Sequence, residues 1–142
     1  MTQEELTTYI VANSAAYIAA RSTVGVPLAA LEAKQVYARE FRQPSLKAEV
    51  WVDIEAMPIE TEGRPLSGLY IQYSVDVYVF CLGSTEAILR QQAKAYALAL
   101  YDCLSQHPDY MMNVEAEAYE GVEGKPDTKC YRIRYLFETE EA

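Results

Sequence analysis

Histidine is nearly missing from this chain, with His107 alone among 142 residues. A nucleophile at Ser84 or Cys81 would need it as a base. It lies some 20 residues further along one helical segment, about 30 Å away, so the two cannot meet within one subunit. No catalytic residue is therefore assigned. His107 itself is expected at a helix end or on the surface.

Cysteine is sparse and scattered. Cys81, Cys103 and Cys130 form no C-x-x-C pair and no Cys/His ligand spacing, which argues against a disulfide framework or a zinc site. Buried, reduced thiols are expected, with no metal and no cofactor. Basic residues are also short, 12 against 21 acids for a net charge of −9. The densest basic stretch, Lys34, Arg39, Arg42 and Lys47, is broken by Glu40 and reads as a solvated edge. Sequence-specific binding of nucleic acid is not expected, because phosphates need a clustered basic surface. No apolar run approaches the ~18 residues of a membrane span. The first residues are acidic where an export signal would be basic. No membrane partner is expected, and the location is expected to be cytoplasmic.

Glycine-rich phosphate loops are absent too. Gly83-Ser84-Thr85 joins a strand pattern to a helix pattern, but it has no second glycine and no lysine, and Glu86 follows at once. A carboxylate in the first turn suits the helix dipole and would repel an anion. The turn is expected to end the strand and cap the helix.

What the chain does have is a core. Apolar residues make up 51%, enough for one domain over 1–142. Twelve tyrosines suit half-buried positions at subunit interfaces. Thr2 and Glu5 fit a capping box, and Leu6, Ile10, Asn13 and Tyr17 share one face, predicting a helix over about 2–20. Pro27 can start a short second helix through Leu28 and Leu31; Val36 to Phe41 is ambiguous. Alternation predicts strands over about 47–55 and 69–82, the latter roughly 40 Å long. A broad stripe of Ile88, Leu89, Ala93, Tyr96, Leu100, Cys103 and Leu104 predicts the main helix over about 85–106. Leu98 and Tyr101 fall off this stripe and are candidates for subunit contact.

Two further strands, about 113–120 and 129–138, pair best in one register. Glu117 then meets Arg132 and Glu115 meets Arg134 on one face. Ala118, Ala116 and Val114 meet Tyr131, Ile133 and Tyr135 on the other, small against large. The expected fold is α+β: a small, mainly antiparallel sheet on a long amphipathic helix, with an additional N-terminal helix.

Glu49, Asp53, Glu55 and Asp76 fall on the wet face of the first strand pair. Their spacing would suit a divalent cation, but any solvated sheet face shows the same spacing. The stretch Ala48 to Phe137, carried by KAEVWVDI, LYIQYSVDVYVFCLGSTEAILRQQAKAYALALYDCL, VEAEAYE and KCYRIRYLF, resembles the tail-terminator and related head–tail completion (minor tail) proteins of long-tailed bacteriophages. That resemblance implies a non-enzymatic, structural protein of a phage or prophage. Such proteins form rings, usually hexamers, that cap the tail tube and dock to the head while DNA passes through unbound. The partners implied are other copies of the chain, the tail-tube protein and head-completion proteins, and the final location is the virion. On this reading Glu49, Asp53, Glu55 and Asp76 are candidates for an acidic channel face, and Trp51, Tyr78 and Phe80 for subunit contacts.

Two other readings stay open. One is a small dimeric α+β module binding a ligand between sheet and helix near Tyr73 and Tyr96. The other is a metal-assisted hydrolase using the wet-face acids. The loop 56–68, rich in glycine, proline and charge, is either a partner-binding arm or a plain connection.

Overall fold

Thr2 caps the first helix as its spacing predicts: Glu5 N–H donates to Thr2 Oγ1 (3.1 Å), and Thr2 N–H donates to Glu5 Oε2 (3.2 Å). The computed structural model describes residues 2–38, 40–56, 69–83, 85–119 and 127–141. The predicted long N-terminal helix is two helices, α1 (Gln3–Asn13) and α2 (Ala15–Arg21). They are separated at Ser14, just after Asn13 Nδ2 donates to the Tyr9 carbonyl (2.9 Å). Such local side-chain bonds compete with the helical ladder.

No helix starts at Pro27. The segment runs irregularly to a single 3-10 turn at Ala33–Gln35, then a short strand β1 (Val36–Ala38). Tyr96 explains why the segment stays in place. Its hydroxyl donates to the Ala29 carbonyl (2.8 Å) and accepts from the Ala29 N–H (3.0 Å). Gln92 Nε2 adds a bond to the Pro27 carbonyl (2.9 Å).

The remaining elements are β2 (Ala48–Ala56), β3 (Leu69–Leu82), α3 (Glu86–Leu104), β4 (Tyr110–Tyr119) and β5 (Thr128–Glu141). Each agrees with its predicted span to within about three residues at either end. The sheet has five strands in the order β1-β2-β3-β5-β4. Only β1 with β2 is parallel. The fold is α+β, with α3 packed on β3 and β5 and with α2 against α3.

Alternation places Val50, Val52, Val75, Val77, Val79, Ile133, Tyr135 and Phe137 on the inner side of the sheet, all buried. They meet Leu89, Ala93, Leu100 and Leu104 of α3 and Leu6 and Ile10 of α1. At roughly 1.5 to 3 kcal/mol for each large side chain, this shared core dominates the favourable side of folding. All three cysteines are buried free thiols. Burial pushes Cys81 and Cys130 up to about 12 and Cys103 up to about 11.

His107 lies just past the end of α3, as one of the two expectations has it, and is not on the surface. Its ring packs edge-on against Tyr9 (4.6 Å between centroids) and Phe137 (5.4 Å). The Gly83–Thr85 turn ends β3, and Thr85 takes the N-cap position without making a side-chain cap bond. Glu86 instead joins the first turn to the sheet and to the next turn, reaching Lys129 (3.3 Å) and Arg90 (2.7 Å). Ser84 and the loop 57–68 lie outside the described residues, so the predicted arm does too.

Candidate functional site

Helices cover one face of the sheet, and the sequence-predicted candidates lie mostly on the other. Two rows of side chains cross this outer face. The first runs Tyr37, Trp51, Tyr78, Arg132, Glu117 from strand to strand; the second runs Asp53, Asp76, Arg134, Glu115. Stacked registers of this kind place residues within a row beside cross-strand neighbours, so that Asp76 meets Arg134 and Arg132 meets Glu117.

In the aromatic row Trp51 stacks on Tyr78 at 4.8 Å, and Phe41 leans over both Trp51 (5.3 Å) and Phe80 (5.7 Å). Trp51 and Tyr78 are half-buried. Phe80 is only 4% exposed, so Phe41 and not a neighbouring subunit is what covers it. Burial, then the nearby Asp76 carboxylate, pushes the Tyr78 phenol up.

The four acids named for a channel divide into two kinds. Glu49 is 1% exposed. Its Oε2 accepts the backbone N–H groups of Ser45 and Leu46, the latter at 2.8 Å, and its Oε1 accepts from Arg42 Nε (3.1 Å). This carboxylate folds the 41–46 loop onto the sheet and cannot line a channel. The arginine it holds also lies over the Tyr37 ring, 4.1 Å from the centroid.

Asp76 is neutralised as well. Arg134 donates to it through Nε (2.8 Å) and Nη2 (3.1 Å), and Arg132 Nη1 lies 3.4 Å away. This bidentate pairing holds Arg134 well above the ordinary arginine value. Arg132 also bonds Glu115 and, at 2.9 Å, Glu117. With 4% exposure, Arg132 is a buried cation held among three carboxylates. The hairpin pairing predicts its contact with Glu117. The contact with Asp76 comes only when β3 is added to the row.

Asp53 and Glu55 remain on the surface, with no cation in ion-pair reach among the described residues. Burial pushes Asp53 up, helped by Asp76 and Glu55. Among the described residues no three ligating side chains converge as a metal site. Near the suggested ligand site the Tyr96 hydroxyl is engaged by the Ala29 backbone.

The helix-side candidates also part company. Leu98 lines an open groove of about 420 Å³ with Arg21, Val26 and Lys94, between the α2 region and α3. Tyr101 turns inward and stacks on Tyr135 at 6.5 Å.

Sequence reasoning missed the most exposed apolar element. The strand β4 lies at the edge of the sheet, beyond the two strands that α3 covers. Four predicted pairs across β4 and β5 are observed, but Asn113 and not Val114 faces Tyr135, across a bulge. Val114 is 58% exposed, with Met112 at 52% and Met111 at 44%. Ala116 and Ala118 face the inner side yet are exposed. The bulge was not signalled by composition, since every residue of the stretch suits a regular strand.

No described helix is long and apolar enough to cross a membrane. No protein-family model and no curated protein matches the chain.

Proposed function

We propose that the chain is a non-enzymatic assembly protein of a long-tailed phage or prophage, a tail-terminator type subunit. It forms a ring with copies of itself, closes the tail tube and docks to the head. It would be made in the bacterial cytoplasm and end in the virion. The observation that carries this reading is β4. An open, ten-residue edge with three exposed large apolar side chains is a liability in an isolated subunit, because unpaired strand groups and apolar surface invite association. Contact with another chain turns the liability into an interface.

The order of elements supports the same reading, with its helix, strand pair, long helix and hairpin. So does the half-buried aromatic pair Trp51 and Tyr78 on the sheet face opposite the helices, since such residues are enriched where proteins meet. The acidic composition suits a ring through which DNA slides. The gene neighbourhood tests the reading: flanking portal, tail-tube and tape-measure genes support it, and metabolic neighbours sink it. At the bench, Val114→Lys with Met112→Lys should weaken assembly, followed by light scattering and negative-stain microscopy. Unchanged rings would remove β4 as their basis.

A further inference from the structure

Two surfaces of this chain leave apolar side chains open, and their shapes differ. The first is the projecting edge formed by β4. Met111, Met112 and Val114 fall within four consecutive residues there, and all three are exposed. Register shifts between Tyr110 and Met112, and between Asn113 and Glu115, take Met111 and Val114 out of the regular ladder. Bulges and edge carboxylates, here Glu115 and Glu117, discourage the addition of another strand. The edge is therefore suited to contact through its side chains and not through its backbone. Methionine serves that purpose well, because its flexible thioether adapts to irregular hollows.

The second surface is hollow. The groove between the α2 region and α3 encloses about 420 Å³, within the roughly 300–1,000 Å³ of functional clefts. Ala20, Val26, Ala95 and Leu98 give it apolar walls, and the two alanines leave it unfilled. Arg21 and Lys94 stand at the same groove. Arg21 Nε donates to Asp102 Oδ2 (2.7 Å), which ties the end of α2 to α3 and fixes the opening between them.

Val24 stands on the turn that borders this groove, and it is 103% exposed. The turn is braced. Thr23 N–H donates to the Val26 carbonyl (3.1 Å), and Val26 N–H donates to Thr23 Oγ1 (3.0 Å). Leu28 N–H adds a bond to Ser22 Oγ (2.9 Å). A bare valine on a pre-organised turn extends the apolar wall, and little ordering is left to be done when a partner arrives.

We propose that the α2–α3 groove, with Val24 at its rim, receives Met111, Met112 and Val114 of a second copy of this chain. This rests on the assembly reading above and names the surface that β4 meets. Three pairings of the two surfaces can be drawn. An edge on an edge sets projection against projection and brings Glu115 and Glu117 near their own copies. A groove on a groove joins two hollows and brings Lys94 near Lys94. Like charges so placed repel. Edge in groove fits projection to hollow and brings Lys94 toward Glu115. Glu115 and Glu117 already bond Arg132, so charge here steers orientation while apolar burial supplies the affinity. The contact joins unlike surfaces and leaves one of each free at the ends, so it repeats until it closes into a ring. Leu98 then has the subunit contact expected of it from the sequence.

The test pairs an edge variant, Met112→Lys with Val114→Lys, with a groove variant, Ala20→Glu with Val24→Asp. All four positions are exposed, and circular dichroism checks that each full-length variant folds. Assembly is followed by light scattering against concentration. Each variant alone should raise the concentration for half-assembly at least about tenfold, as loss of a buried interface anchor does. An equimolar mixture of the two should form dimers and nothing larger, because one sound edge then meets one sound groove. Raising salt from about 50 mM to about 500 mM should leave wild-type assemblies intact, since apolar contact is not screened. A groove variant that assembles like the wild type would overturn the proposal and leave β4 pairing with itself. An edge variant that still dimerises would overturn it in favour of groove on groove. A mixture that stays monomeric, assemblies that salt dissolves, or a wild-type chain that is monomeric at every concentration would each overturn it too. Failure of the phage reading is separately visible in the gene neighbourhood.

Discussion

Asp53 and Asp76 stand directly opposite each other across the β2–β3 ladder, yet among the described residues only Asp76 is met by arginine. Like charges in this position oppose each other, and the pull of Arg134 is spent on the far side of Asp76. Asp53 is therefore raised above its ordinary value of 3.8, first by burial and then by Asp76 and Glu55. A carboxyl group raised on folding costs stability once it ionises. The cost is absent below the unfolded value and complete above the folded one. Asp53→Asn should stabilise the subunit at pH 7 by a few tenths of a kcal/mol, discounted for exposure. Urea titrations should show the gain shrinking to nothing near pH 3. A loss of stability at pH 7 would contradict the geometry.

Arg132 should be a costly charge to remove. It is buried and shared by Asp76, Glu115 and Glu117. Arg132→Ala leaves the two glutamates without it, while Asp76 keeps Arg134. A fully buried pair broken on one side costs ~3–5 kcal/mol; with both glutamates half-exposed, a loss of about 2 kcal/mol is expected. Adding Glu117→Gln to Arg132→Ala should then cost less than the sum of the two single changes. Chemical denaturation of the four chains measures this, and strict additivity would mean the two side chains act independently.

The same rows show what a sequence can and cannot reveal. Matching Glu117 to Arg132 and Glu115 to Arg134 needed only two adjacent strands, and that register is the observed one. Glu49 sits within the same alternation as Trp51 and Asp53, so periodicity puts it on the outer face. Its burial depends on the 41–46 loop folding over it, a contact that no local pattern encodes. The β1 strand has three residues and pairs in parallel, too short for alternation and with no turn to mark its partner. How far α3 reaches across the sheet is also invisible locally. Ala116 and Ala118 therefore look like core positions, but the helix stops short of them.

His107 should make the fold sensitive to mild acid. Its Nδ1 accepts the Asp109 N–H at 3.0 Å, which requires the unprotonated nitrogen. Burial between Tyr9 and Phe137 lowers its value below the ordinary 6.5, against the smaller opposing pull of Asp109. With the folded value depressed, its contribution is complete above the unfolded value and is lost as pH falls through the folded one. Melting temperature should decline as pH drops from 7 to 5, by no more than about 1.4 kcal/mol of stability per pH unit from this one group. His107→Gln keeps an acceptor and should flatten that decline. An unchanged slope in the variant would assign the acid sensitivity to other groups.

Glu49 offers the most direct optical test. Both of its oxygens are occupied, one by Arg42 and one by the N–H groups of Ser45 and Leu46. A glutamine there must turn its NH2 toward one of these donor sets, so at least one buried bond becomes a donor–donor clash. Glu49→Gln should cost about 2 kcal/mol, within the range for an unsatisfied buried polar group. The damage should be local: the 41–46 loop lifts, and Phe41 leaves the Trp51 ring it now touches at 5.3 Å. Trp51 is the one tryptophan of the chain, so the fluorescence of the whole chain reports on the surroundings of this ring, Phe41 among them. Emission should shift to longer wavelength in native buffer, before any global unfolding. Glu49→Asp, too short to reach both donor sets, should show a similar shift. If melting temperature fell while emission stayed fixed, the loop would be held by Arg42 over Tyr37, and Glu49 would stabilise only the strand beneath it.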